Sequence, residues 1–233
     1  MRRAALLALL LSACYPPAIL TPEGRETVVR ATSRQPRYLR VAVYAGPFFG
    51  DRSRLLLVDR PATEVAALET SGGRPIAPPP PDSVLPPGTP VFVDAVEFPT
   101  GAVIWKRPPT TPRYRPWLLG RAAGQDRGVV IVLSGPAGDA EDVLAEVARV
   151  LTPDDPTPVF RALPEPQRAA IRKKELLEGM DREAALMAWG YPDRIAMEGT
   201  ASGEEWTWSD GRRRALFQDD RLVRFEPARA PPR

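Results

Sequence analysis

Two of the side chains most used as nucleophile or base are nearly missing from this chain. There is one cysteine, Cys14, and no histidine, so Ser-His-Asp and Cys-His arrangements and the commonest metal ligand are all missing. The thiol of Cys14 closes a short apolar run at residues 4–11, behind a basic Met1-Arg2-Arg3. Carboxylates come in adjacent or near-adjacent pairs: Asp94 with Glu97, Asp154 with Asp155, Glu204 with Glu205, and Asp219 with Asp220. A glycosidase-type pair needs two acids held at a set separation across a sugar ring. None of these spacings differs from that of solvent-facing strand and turn residues, and none has the loop spacing of a calcium site. The expectation is a protein that is not an enzyme, with no catalytic residue, no metal and no cofactor.

The apolar run is far shorter than the roughly 20 residues that a membrane-spanning helix needs. A basic start, a short greasy stretch and small residues before a break describe a secretory signal. Leu11, Ser12, Ala13 and Cys14 resemble the lipobox of bacterial lipoproteins. That resemblance implies cleavage before Cys14, a covalent lipid on its thiol and a membrane as partner. Two or three acyl chains anchor durably where one holds only marginally. Tyr15, standing where an aspartate would follow the cysteine, resembles the pattern that permits sorting to the outer membrane, with the body on its periplasmic face. With no second cysteine the exported chain has no internal disulfide.

The rest of the chain must be organised behind that anchor. Of 233 residues 29 are proline and 43 % are apolar, a composition for a real core built of short elements and long connections. The net charge of +3 is spread thinly, which argues against a nucleic-acid partner. Residues 14–37 read as the lipidated cysteine and a tether, with one short strand at Val28-Val29. Residues 38–152 read as a mostly-β domain. Its strands are expected near residues 39–44, 55–58, 91–98 and 129–133, with a hairpin return at 102–105 after Pro99-Thr100-Gly101. A short helix is expected from Pro61, stopped near Gly72-Gly73, and Asp139 is expected to cap a helix over 140–151. Short strands, many turns and one amphipathic helix suggest a partly open, SH3-like barrel. Within this domain Arg113, Tyr114, Arg115 and Trp117 combine rings with cations. They read either as a surface that stacks on glycan or lipid headgroups, or as a loop whose Trp117 plugs the barrel end. Residues 153–163 read as a linker.

Residues 164–227 form the second expected domain, ahead of a tail at 228–233. Two helices come first, one over 164–178 ended by Gly179 and one capped by Asp181 and stopped by Gly190-Tyr191-Pro192. A meander of three or four strands follows, with Asp210-Gly211 as its strongest turn signal. The fold class expected for the whole is therefore α+β. Tyr191, Trp206 and Trp208 read either as binding anchors or as core on one strand face. Leu176-Leu177-Glu178-Gly179-Met180-Asp181, Ala188-Trp189-Gly190-Tyr191-Pro192 and Glu205-Trp206-Thr207-Trp208 together resemble the SmpA/OmlA (BamE-like) family over about residues 169–225. The resemblance implies a small lipoprotein of the outer-membrane barrel-assembly machinery, with other envelope proteins as partners. The function expected is a non-catalytic binding or scaffold module of the envelope, the alternative an inhibitor or chaperone-like binder of the periplasm.

Overall fold

The computed structural model describes residues 20–33, 35–49, 51–61, 64, 70, 76, 78–108, 114–133, 138–198 and 203–227. Among these it holds six helices, an eight-stranded sheet and a four-stranded antiparallel sheet, a mixed α and β architecture. Leu11, Ser12, Ala13 and Cys14, Arg113, and the tail at 228–233 lie outside the described residues, as does most of the short helix expected from Pro61.

The chain enters through helix α1 (Pro22–Ser33), which corrects the reading of residues 14–37 as a tether. Thr21 Oγ1 accepts the Gly24 amide at 3.1 Å, and Pro22 and Glu23 occupy the first turn, where a missing N–H and an acidic side chain both suit a helix start. Val28 lies on the buried side of this helix, not in a strand. One turn on, Thr32 is also buried, its hydroxyl donating back to the Val28 carbonyl at 2.8 Å.

The large sheet is built from β1 (Arg37–Leu39), β2 (Val43–Phe48), β3 (Asp51–Val58), β4 (Ser83–Leu85), β5 (Pro90–Glu97), β6 (Trp117–Ala122), β7 (Gly128–Val132) and β8 (Leu151–Thr152). Its order is β4-β2-β3-β7-β6-β5-β1-β8, and β3 runs parallel to β7. Alternation along β3 and β7 divides their side chains between two cores. Leu55, Leu57, Val129 and Ile131 meet α1 and α3 (Ala140–Val150) on one face, whereas Leu56, Val130 and Val132 join Phe48 and Trp117 on the other. Asp139 caps α3 by accepting the Asp142 amide at 2.9 Å.

The hairpin expected after Pro99 is instead helix α2 (Gly101–Lys106). Thr100 accepts the Val103 amide, and that cap outweighs the strand preference of Val103 and Ile104. β5 pairs antiparallel with β6 on one side and β1 on the other, so Trp117 begins a strand. The stretch 153–163 contains helix α4 (Thr157–Ala162), whose Phe160 is buried with Trp206, Trp208 and Phe217 in the core of the C-terminal half, the second core.

Helix α5 (Glu165–Arg172) is shorter than expected because Lys174, at φ +57°, has already left helical space. Helix α6 (Arg182–Trp189) starts at Asp181, which accepts the Ala184 amide at 2.8 Å, and ends at Gly190, φ +80°. Strands β9 (Arg194–Glu198), β10 (Gly203–Trp208), β11 (Arg213–Gln218) and β12 (Arg221–Glu226) then meander. Asp219 and Asp220 both have positive φ in the two-residue turn between β11 and β12, the signature of a hairpin whose twist matches its strands. Ala184, Ala185, Met187, Ala188 and Trp189 of α6 cover Trp206, Trp208, Ala215, Phe217 and Leu222.

Candidate functional site

Two places gather the residues with functional potential: the seam where the two sheets meet, and the edge of the large sheet around Trp117.

The seam is organised by Lys174. Because its backbone is left-handed just after α5, its side chain turns inward and is 4 % exposed. The amine donates to the Ala42 carbonyl at 2.5 Å and to the Ala188 carbonyl at 2.9 Å, and it stands 5.3 Å from the Tyr44 ring. Ala42 is held a second time, its amide donating to the Met187 carbonyl at 2.7 Å. The strand expected over 39–44 is therefore broken between β1 and β2, at the point where its backbone bonds to the other sheet's helix. Two donated bonds match the two N–H groups of a neutral amine. Burial lowers the Lys174 pKa to about 7, against the attraction of Asp59 and Glu64 and with added repulsion from Arg213.

Ion pairs cross the same seam. Arg213 Nε meets Glu64 Oε2 at 2.8 Å with both side chains buried, and the Ser209 hydroxyl donates to the same oxygen. The Arg213 guanidinium also lies 4.8 Å from the Trp189 ring and 5.5 Å from that of Trp208. Burial lowers the Arg213 pKa, with Glu64 opposing. Arg60 grips Asp193 through two nitrogens at 2.7 and 3.2 Å, and Asp193 accepts the Ser209 amide at 2.6 Å. Burial opposes the ionised form of Asp193, yet Arg60, Ser209 and Arg149 outweigh it and hold its carboxyl below the ordinary range. A shallow cleft lined by Asp59, Arg60, Glu146 and Arg149 opens beside this network.

Tyr191 belongs to the seam. Its hydroxyl accepts from Arg40 at 2.7 Å, and its carbonyl accepts from Arg149 at 3.1 Å. Trp206 and Trp208 are 3 % and 0 % exposed, which corrects their reading as anchors for a partner. Their rings pack on Phe217 and Trp189, and Trp208 Nε1 donates to the Gly190 carbonyl at 3.2 Å. Sequence reasoning gave Lys174, Glu64 and Arg213 no part in a buried seam, although they are the residues that lock it. Lys174 sits beside Arg172 and Lys173 in what reads as one wet cationic run, and the break in period after Arg172 was the one signal available.

At the second place Trp117 is 3 % exposed, edge-on to Phe48 at 5.5 Å, with the Arg107 guanidinium 3.9 Å over its ring. A buried ring with one face covered by a cation leaves no surface for a headgroup, so Trp117 is core as well. Arg107 also donates to the Arg115 carbonyl at 2.9 Å, which pins the end of α2 to the start of β6. Tyr114 is 46 % exposed, and Trp105, which the sequence did not mark, is 73 % exposed on α2.

The paired carboxylates do not converge. Asp94 pairs with Arg121, and Glu97 lies 3.5 Å from Arg107. Glu204 and Glu205 are consecutive residues of β10 and point to opposite faces, the first meeting Arg182 and the second Arg214. Among the described residues no group of three or more His, Cys, Asp or Glu stands close enough to hold a metal ion, and no helix is long and apolar enough to cross a membrane. No protein-family model, curated protein or solved structure matches the chain.

Proposed function

We propose that the chain is a lipid-anchored lipoprotein on the periplasmic face of the outer membrane, acting there as a non-catalytic scaffold that binds other envelope proteins. The lipobox-like Leu11-Ser12-Ala13-Cys14 carries this reading. Geometry supports it in one further respect. Leu20 is 4 % exposed and already part of the first core. Cys14 stands six residues earlier, a covalent reach of at most roughly 20 Å. An acylated Cys14 therefore keeps the folded body close against the lipid, as a scaffold fixed to one surface requires.

In this reading residues 38–152 are a partly open, SH3-like barrel unit and residues 164–227 a BamE-like binding unit. The seam of Lys174, Glu64, Arg213 and Asp193 holds the two sheets in one orientation, so partners meet a fixed surface. The exposed rings of Trp105 and Tyr114, on elements joined through Arg107, offer contact area at low entropy cost. Membership of the SmpA/OmlA family, and with it a place near the barrel-assembly machinery, is part of the same proposal.

The test is expression of the full chain and of Cys14→Ser in a Gram-negative host, followed by membrane fractionation and crosslinking. Wild type in the outer membrane with the variant released supports the anchor, and recovery of barrel-assembly subunits supports the family. Both forms soluble in the periplasm overturns the lipoprotein reading.

A further inference from the structure

The four-stranded sheet has two outer strands, and they are protected differently. On β12, Arg221, Arg224 and Glu226 are exposed around a single exposed apolar residue, Val223 at 39 %, and a bulge against Leu216/Phe217 disturbs the ladder. Charges and bulges are the usual means of blunting an edge. The other outer strand, β9, pairs among the described residues with β10 alone and has an unbroken register. Ile195 lies opposite Trp206 and Met197 opposite Glu204, so both stand on the face that α6 covers further in. They are nevertheless 54 % and 66 % exposed, while Trp206 beside them is 3 % exposed. The apolar layer of the second core thus runs out to an edge that nothing described covers.

The sequence of that edge is Arg194-Ile195-Ala196-Met197-Glu198. Antiparallel pairing with a second copy about Ala196 puts Arg194 opposite Glu198 and Ile195 opposite Met197, each pairing occurring twice by symmetry. Cross-strand opposites of unlike charge and apolar opposites both favour a pairing. A slip of one residue would turn Ile195 and Met197 to the other face, and a slip of two would set Arg194 against Ala196 and leave both charges unmatched. We infer that β9 is a homodimer edge: two copies pair through it about a two-fold axis at Ala196, joining their four-stranded sheets into one continuous eight-stranded sheet. Such an interface is isologous, one strand meeting itself. The four side chains of Ile195 and Met197 from both copies close the gap in the apolar layer. The inference stands apart from the lipid anchor, and its test removes that anchor.

The experiment is sedimentation equilibrium on the full chain carrying Cys14→Ser, which also eliminates any disulfide-linked dimer. The expected result is a concentration-dependent dimer. Arg194→Glu and Glu198→Arg, each added alone, set like charges opposite each other at both ends of the strand pair, and each weakens the dimer roughly tenfold or more. Mixing the two variants restores it, because every acidic residue then opposes a basic one, and so does combining both changes in one chain. Circular dichroism matching the parent shows that the single variants are folded. A parent that stays monomeric at millimolar concentration overturns the inference. So do single variants that dimerise like the parent, or a mixture that does not recover, and either outcome would point to an edge that serves an extended segment of another protein.

Discussion

Replacing Lys174 with methionine separates its charge from its packing, and pH reads the difference. In the folded chain burial holds the amine's pKa near 7, against 10.5 for an ordinary lysine. Above pH 10.5 the amine is neutral in both states and folding carries no charge penalty. As pH falls toward 7 the unfolded chain takes up a proton that the folded chain refuses, so stability is lost over that window and regained as pH rises through it. Between pH 7.5 and 9.5 the wild-type chain should gain about 2.5 kcal/mol, because each pH unit in which only the unfolded state is charged adds up to about 1.4 kcal/mol. Tyr44 does not interfere. Burial raises its pKa above 10.0, with Arg213 opposing and Glu64 and Glu175 adding to the rise. The described carboxylates with shifted pKa values are lowered and titrate below the window. In Lys174→Met the Ala42 and Ala188 carbonyls lose their donor, at about 1–3 kcal/mol for a buried group left unpaired, while the cost of a charged amine disappears. The variant should therefore be nearly flat with pH and compare best with wild type at the acid end. Urea unfolding at several pH values, followed by tryptophan fluorescence, measures both curves. Parallel curves for the two proteins, or a wild-type curve that does not rise, would refute the argument that this amine is buried neutral.

Other outcomes follow from the same contacts. Glu64→Ala should cost about 3–5 kcal/mol, because it leaves Arg213 charged and unpaired inside the seam. The double variant Glu64→Leu with Arg213→Met should recover much of that loss, as read from denaturant midpoints. Gly190→Ala forces a side chain into positive φ with its Cβ 3.2 Å from Asp59 Oδ2. It should lower stability by more than the ~1 kcal/mol of a left-handed non-glycine residue, as a lowered Tm. Trp208→Ala empties the centre of the second core and should cost about 3–5 kcal/mol. Labelled palmitate should enter the wild-type chain and not Cys14→Ser, as seen on gels of labelled cells.

Local signals carried much of the second half of the chain. Asp181 and Asp139 are caps by residue type and position, and the structure gives each the amide that a cap accepts. The β9 boundaries were legible because the period changes from helix to strand after Pro192. The first half was harder to read for a definable reason. Helix α1 buries only Val28 and Thr32, too narrow a face to show as periodicity, so it passed for tether. In α2 a single cap at Thr100 decided against the strand preference of Val103 and Ile104.

The sequence alone determined which reactive side chains the chain carries: one thiol behind an apolar run, no histidine, and acids in adjacent or near-adjacent pairs. It also determined the caps, turns and alternation, because those depend on neighbours a few residues apart. Only the tertiary structure decided that Trp117, Trp206 and Trp208 are core, and that Lys174 points inward to carbonyls contributed by Ala42 and Ala188. Those contacts join residues up to 132 positions apart. Whether a lysine is wet or buried depends on what the rest of the chain brings to it, and no local pattern records that.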